Sequence, residues 1–308
     1  MINLTLRQLR YFESLARHRH FGRAAEVCSV SQPALSMQIK EMEAVLGTPL
    51  FERSARQVRL TGFGEEFADR VQAILRSVDE LEDLARASRE SLAGRLRIGI
   101  IPTIAPYLLP TLIGKLAERS PGLDLRVRET VTSKLLTELA EGRLDTAILA
   151  LPVSEPNLHE VALFSEDFVL VRPECDAGKP APSPERLREM RLLLLEEGHC
   201  FRDQALSFCN LPAAPPRELL DGSSLSTLVQ MVAAGIGVTL IPEMAVGVET
   251  RSAAVTISCF EGIQPSRTIG MVWRRTSPLT KQLVQLSEVV RAAAEDLRAR
   301  QLRAGPGV

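Results

Sequence analysis

At 308 residues, with 45% apolar and 24% charged side chains, the chain has the make-up of an ordinary soluble globular protein of two to three domains, which excludes a disordered or fibrous one. Its formal charge of -1 conceals an uneven distribution: residues 1–60 hold nine basic side chains (Arg7, Arg10, Arg17, Arg19, Arg23, Lys40, Arg53, Arg56, Arg59) against five acidic ones, a balance of +4 that leaves -5 for the rest. Positive charge gathered in a small N-terminal unit is the footprint of a polyanion-binding head, although a solvated basic face is a common origin of such a cluster.

The first elements read as α-helices. Leu6, Leu9, Phe12, Leu15 and Ala16 recur at helical spacing, and the pattern ends near His18. A short helix is expected over Gly22 to Cys28. After the turn at Ser29-Val30, Ser31 is a good N-cap for a third helix with Pro33 in its first turn. In that helix Leu35, Ile39, Met42 and Leu46 mark a buried stripe, leaving Gln32, Ser36 and Lys40 outward. This is a helix-turn-helix arrangement, whose second helix enters the major groove of DNA. Leu50 to Arg53 and Val58 to Leu60 flank Ser54-Ala55-Arg56 and predict a short basic β-hairpin, a wing.

From Thr61 to Ser91 one long helix is predicted. Phe67, Val71, Ile74, Val78 and Leu81 follow heptad spacing, which suits a seam against another helix and hence a dimer; packing on its own domain is the alternative. Beyond Gly94 strands and helices alternate. Strands are expected at Leu96–Ile101, Leu123–Val127, Thr146–Leu149, Phe168–Val171, Leu192–Leu195, Val238–Ile241 and Thr268–Trp273, and helices at Tyr107–Ala117 and Lys134–Ala140. Such alternation implies α/β sheets with parallel strands, and about 215 residues suffice for two subdomains with a ligand cleft between them. Leu225 to Ile241 reads as a buried helix, a glycine turn and a strand, short of the ~20 apolar residues that a bilayer requires. Lys179–Pro184 and Leu211–Pro216 are expected loops.

Within this region Cys200 stands beside His199 and Arg202 at what looks like a helix start, where backbone N–H groups and positive charge favour a thiolate. Cys209 lies nine residues on. If the intervening stretch is helical, their Cα atoms are about 13 Å apart, whereas a disulfide needs about 7 Å or less. The pair can bond only by breaking local structure, which makes it a candidate switch; two small buried hydrophobes are the alternative. The odd count of five cysteines and the absence of a secretory signal argue against a structural disulfide framework and lead us to expect a cytosolic location without membrane association. Cys28, Cys175 and Cys259 are read as structural. With four histidines and no C-x-x-C or H-E-x-x-H spacing, no metal or other cofactor is expected.

The order of these parts resembles the LysR-type transcriptional regulators, and Phe21-Gly22-Arg23-Ala24-Ala25-Glu26 followed by Val30-Ser31-Gln32-Pro33-Ala34-Leu35-Ser36 is similar to that family's helix-turn-helix motif. The segment Gly198 to Gln204 with Cys209, together with Ile101-Pro102-Thr103, Tyr107 to Pro110 and Arg267 to Gly270, resembles the family's peroxide-sensing members. The resemblance implies a winged helix-turn-helix domain (1–61, the motif at about 21–40) and a linker dimerisation helix (62–91). It further implies an effector domain (92–308) of two Rossmann-like subdomains with the type 2 periplasmic-binding-protein fold, about 94–165 with 269–308 and about 166–268. By the same resemblance Cys200 is the peroxidatic cysteine and Cys209 resolves it as a disulfide. Thr103, Thr132, His199 and Arg202 line the peroxide pocket, and Arg267 supports the thiolate. Arg23, Arg53 and Arg56 are expected at DNA phosphates and Gln32, Pro33 and Ser36 at base edges, with Ser31 counted among the DNA-binding residues. Ala34, where relatives often carry Thr, and Met37, beside the outward face, point to an altered operator preference. The implied partners are double-stranded operator DNA, hydrogen peroxide, RNA polymerase, a thiol reductant (glutaredoxin or thioredoxin), and further copies of the chain as a homodimer or homotetramer. A family member that binds a small metabolite, with both cysteines structural, and a thiol peroxidase are the competing readings.

Overall fold

The computed structural model describes residues 4–53, 58–87, 92, 94–180, 182–187, 190–208, 221–260 and 264–304, which fall into two compact units, Met1–Ala85 and Arg86–Val308. Among the described residues no helix is long and apolar enough to cross a membrane.

In the first unit, α1 (Leu6–His18) opens with a capping box in which the Thr5 side chain accepts from the Gln8 N–H and the Gln8 side chain accepts from the Thr5 N–H. It is followed by α2 (Phe21–Val27) and by α3 (Gln32–Leu46), which is capped by Ser31. Leu35, Ile39 and Met42 are buried as the spacing predicts, against Phe12, Leu15 and Ala25. β1 (Phe51–Arg53) and β2 (Val58–Leu60) pair antiparallel as the expected wing. Its entry is fixed by Glu43 of α3, whose Oε1 accepts the Leu50 and Phe51 N–H groups at 2.9 and 3.2 Å.

The long helix α4 (Gly62–Ala87) divides the expected heptad seam. Val71 is fully buried in the core of the first unit, and Phe67 lies edge-on to Phe12 at 5.0 Å. Ile74, Leu81 and Leu84 stay 47%, 64% and 56% exposed. The first turns therefore roof their own domain, and only the later turns keep an apolar face free for another helix. The start of α4 is drawn tightly onto the wing: a Cβ at Gly64 would lie 2.2 Å from the Leu50 carbonyl oxygen.

The second unit is built on β3 (Gly94–Ile100), α5 (Ala105–Arg119), β4 (Leu123–Glu129), α6 (Thr132–Ala140) and β5 (Thr146–Leu151). There follow β6 (Leu158–Pro173), α7 (Pro184–Leu187), β7 (Leu192–Leu195), α8 (Cys200–Phe208), β8 (Asp221–Gly222), α9 (Leu225–Ala233) and β9 (Val238–Pro242). α10 (Val246–Glu249), β10 (Val255–Ser258), β11 (Ser266–Arg274) and α11 (Thr280–Ala304) complete it. The strand order is β4-β3-β5-β11-β6-β9-β7-β8, with β10 on β6. β3 runs parallel to β4 and β5, and β7 parallel to β8 and β9, so each end of the sheet is of the parallel type expected. β11 and β6 run antiparallel between those ends.

Three differences from the sequence reading stand out. β6 is sixteen residues long, and the Phe168–Val171 strand is only its second half. Pro184, assigned to a loop, opens α7, where its fixed φ suits a first helical position. The 25-residue helix α11, for which no expectation was formed, packs on α5, where Lys115 Nζ and Asp296 Oδ2 pair at 2.7 Å. Leu211–Pro216 lies outside the described residues.

Gly64→Ala forces a methyl group against backbone rather than a side chain. It should cost about 1–3 kcal/mol, the range of overpacking substitutions, and lower the melting temperature of the full chain in a calorimetric scan.

Candidate functional site

Two constellations bear on function, one in each unit. In the first, Arg23, Gln32, Pro33, Met37 and Lys40 are exposed, and Ser36 is half-buried. The Ser31 hydroxyl accepts from the Ala34 N–H at 3.4 Å and so is occupied in capping α3. Arg56 and the side chain of Arg53 lie outside the described residues. The exposed N-terminal half of α3 presents polar groups together with Met37, 54% exposed, an apolar tip of the kind that packs against thymine methyl groups.

In the second unit, helix starts gather around Cys200. Thr103 lies on the segment from β3 into α5, Thr132 is the first residue of α6, and Cys200 is the first of α8. Gly198, at φ +94°, supplies the left-handed turn into α8 that other residues rarely adopt. Together Thr103, Val131, Thr132, His199, Cys200 and Phe201 wall a recess that, as it stands, has no room for a water-sized molecule. Cys200 is a free, half-buried thiol. The Thr132 hydroxyl is buried without a hydrogen-bond partner among the described residues. His199, half-buried, has its pKa held below the usual imidazole range because burial penalises the charged ring, a trend that the charge of Glu196 opposes. It therefore faces the recess as a neutral imidazole at physiological pH.

Behind Thr103 stands Arg267, only 4% exposed. Its Nη1 donates to the Thr103 hydroxyl at 2.9 Å and its Nη2 to the Thr103 carbonyl at 3.2 Å, while Nε donates to Glu166 Oε1 at 2.7 Å. The guanidinium also lies 5.4 Å from the ring centre of Phe201, the neighbour of Cys200. Arg267 thus reaches the recess through Thr103 and Phe201 and does not line it. Arg202 is likewise outside the lining: its Nη1 donates to the Leu195 carbonyl at 2.8 Å, tying the first turn of α8 to the end of β7. Cys209 lies outside the described residues. α8 still bounds its reach: from Cys200 to Phe208 the helix advances about 12 Å. The next Cα can recover at most about 3.8 Å, so the pair stays about 8 Å or more apart while α8 is intact, beyond disulfide range.

The sequence reading missed two further features. Glu166 is buried and directly opposite Arg267 in the β6–β11 register. A wider cleft of about 310 Å³ adjoins the recess, where the Tyr107 hydroxyl donates to Glu249 Oε1 at 2.7 Å and Ser226 donates to Glu249 Oε2 at 2.5 Å. Burial and the Glu249 carboxylate both push the Tyr107 pKa far up, so it remains a donor. Cys175 and Cys259 are exposed, which corrects the reading of them as buried structural residues: Cys175 lies in the 3-10 turn after β6, and Cys259 follows the end of β10. Cys28 is half-buried against the core of the first unit.

A DNA-reading helix in one unit and an α/β effector fold in the other define a ligand- or signal-responsive regulator, and comparison with known proteins gives the family. Residues 6–65 match the bacterial regulatory helix-turn-helix protein of the lysR family, and residues 89–295 match the LysR substrate binding domain. The chain belongs to the LysR family. It is 43% identical to a probable hydrogen peroxide-inducible genes activator of Streptomyces viridosporus over 97% of each chain. It is 42% identical to the DNA-binding transcriptional dual regulator OxyR of Escherichia coli K12, over 94% of this chain and 95% of that one. A solved structure of a Corynebacterium glutamicum OxyR cysteine-to-serine mutant with H2O2 bound superposes with a TM-score of 0.69 at 34% identity, covering 99% of this chain and 97% of that one.

Because the folded chain binds a proton at His199 more weakly than the unfolded chain, protonation costs stability as pH falls through and below about 6.5, the ordinary imidazole value. The melting-temperature advantage of the native protein over His199→Asn should therefore shrink between pH 7.5 and pH 5, as followed by circular dichroism.

Proposed function

We propose that the chain is a hydrogen peroxide-responsive transcriptional regulator that binds operator DNA and activates oxidative-stress defence genes through a reversible Cys200–Cys209 disulfide. The observation that carries this reading is the placement of the Cys200 thiol at the first turn of α8, in one recess with the Thr103 and Thr132 hydroxyls and a neutral His199. The Cys200 thiolate attacks one peroxide oxygen, an S–O bond forms as the O–O bond breaks, and hydroxide leaves to take up a proton. Hydroxyl donors beside the reacting atoms stabilise the charge on the leaving oxygen. Cys209 then attacks the sulfenic acid and releases water. Peroxide is larger than water, so its entry needs a side chain of the recess to move.

Closing the disulfide demands that α8 unwind, and this remodelling links oxidation to subunit contacts and to DNA. In the head, Arg23, Arg53 and Arg56 neutralise phosphates, while Gln32, Pro33 and Ser36 approach base edges and Ser31 sets the start of the reading helix. The free apolar face of α4 at Ile74, Leu81 and Leu84 serves dimerisation, with a homotetramer as the full assembly. The protein works in the cytoplasm, engages RNA polymerase, and is reset by a glutaredoxin or thioredoxin. Operator binding should weaken steeply with salt, as expected when phosphate contacts release counterions.

Intact-mass spectrometry after one equivalent of peroxide should show loss of two hydrogens, mapped to Cys200 and Cys209. Cys200→Ser should abolish both that loss and peroxide-induced transcription. A retained transcriptional response in Cys200→Ser would sink the proposal and favour a metabolite bound in the cleft.

A further inference from the structure

Glu166 and Arg267 face each other on β6 and β11, with Nε–Oε1 and Nη2–Oε1 separations of 2.7 and 2.5 Å. Both side chains are buried, at 5% and 0% exposure. Burial pushes the Glu166 carboxyl upward, and the Arg267 charge opposes that shift. Taking two charges out of water is expensive, and a well-packed apolar pair is often as stable or more so. The Met244 backbone adds a hydrogen bond that lowers the Glu166 carboxyl pKa, yet a buried ion pair remains a costly arrangement that calls for a reason.

The reason lies in what the pair does to Thr103. A guanidinium has donors only, so the Nη1 bond to Thr103 makes that hydroxyl oxygen an acceptor and turns its own hydrogen away from Arg267. Thr103 walls the recess that holds Cys200. With Nε and Nη2 held by Glu166, and Nη2 also on the Thr103 carbonyl, the fork has little freedom to turn. We propose that Glu166 is a positioning residue for the peroxide reaction, acting through Arg267 to present the Thr103 hydroxyl hydrogen to the leaving oxygen of peroxide.

This inference rests on the peroxide-sensing reading above. As the thiolate sulfur bonds to one oxygen and the O–O bond breaks, the other oxygen departs with the electron pair as hydroxide, and the Thr103 hydrogen bond stabilises that charge. Glu166→Gln keeps the shape and an acceptor oxygen but removes the charge that holds the fork.

The test measures, in the full-length protein, the second-order rate of Cys200 oxidation by hydrogen peroxide and, separately, its rate of alkylation by iodoacetamide, both read at the Cys200 peptide by mass spectrometry. Alkylation requires the thiolate and access but breaks no O–O bond. Glu166→Gln should slow oxidation at least tenfold while alkylation changes less than threefold. Glu166→Asp, which keeps the charge, should recover part of the loss. In a double-mutant cycle, Glu166→Gln with Thr103→Val should be no slower than Thr103→Val alone within twofold, since both act through one hydroxyl. If Glu166→Gln does not fold by circular dichroism, the same cycle with Glu166→Asp decides. An unchanged oxidation rate, equal loss in oxidation and alkylation, or multiplicative losses in the double variant overturns the inference. A native protein whose Cys200 does not react with peroxide instead overturns the peroxide-sensing reading itself.

Discussion

The antiparallel pairing of β6 with β11 is the constraint on which the second unit depends. β6 pairs through Leu158–Asp167 with β11 and through Phe168–Val171 with β9, so one strand is shared by both ends of the sheet. β11 in turn joins β5 to β6. One pair before the partnership of β6 changes, Glu166 lies opposite Arg267, and Phe168, the first residue paired with β9, packs edge-on against Phe201 of α8 at 4.7 Å. The passage between the two ends of the sheet and the mounting of the cysteine helix are thus one cluster of contacts.

The same geometry explains why a buried ion pair survives there. Glu166 sits in a strand whose neighbours Leu163 and Phe168 are buried, and an apolar pair would pack as well. An apolar side chain at 267, however, could not donate to the Thr103 hydroxyl and carbonyl and thereby hold the segment between β3 and α5. Polar contacts elsewhere in this unit have a plainer purpose. Asp145, fully buried, accepts from the Arg97 N–H and guanidinium, and Arg274 donates to the carbonyls of Leu139 and Leu144. The Asp145 bonds tie the start of β5 to β3, and those of Arg274 fasten the end of α6 and the turn into β5.

How much of this was legible in the sequence follows from which forces are local. The start of α3 was: Ser31 and Pro33 act within a turn of where they stand, whereas Pro184 was read as loop and opens α7. The stripe Leu35, Ile39, Met42 was also legible, because the 3.6-residue period is a property of the chain itself. The heptads of α4 were read correctly as apolar spacing, but whether Val71 met another molecule or its own domain depended on tertiary packing, and the structure divides the seam. The length of β6 was hidden since Leu158 to Asp167 mixes His, Glu and Ser with apolar residues, with His159, Ala162, Ser165 and Asp167 exposed, which breaks a clean period of two. Glu166 carried no signal: next to Asp167 it reads as part of a solvated acidic turn, and only the register against Arg267 gives it a role. The gathering of Thr103, Thr132, His199 and Cys200 was known only from family resemblance, since no local rule joins residues some hundred positions apart. Arg202 shows the limit of adjacency, lying two residues from Cys200 yet turned to Leu195.

The anchoring of α8 determines how it can yield. Its first turn is held by Phe201 against Phe168 and by Arg202 on the Leu195 carbonyl, and Ala205 and Leu206 are buried behind them. Its last residue, Phe208, is only partly buried, against Phe260 at 5.0 Å. Burying a full aromatic or leucine side chain is worth about 1.5–3 kcal/mol, so releasing the first turn costs several such contributions and releasing the last costs less than one. Unwinding from the C-terminal end is therefore the cheaper course, and it leaves Cys200 in its recess. Lifting the constraint of a continuous helix lets the chain double back, which an intact α8, holding the pair about 8 Å or more apart, does not allow within the limit of about 7 Å. The Cys200 end of α8, beside the Thr103 and Thr132 hydroxyls, is thus the firmly held end, and the Phe208 end is the end least tied down.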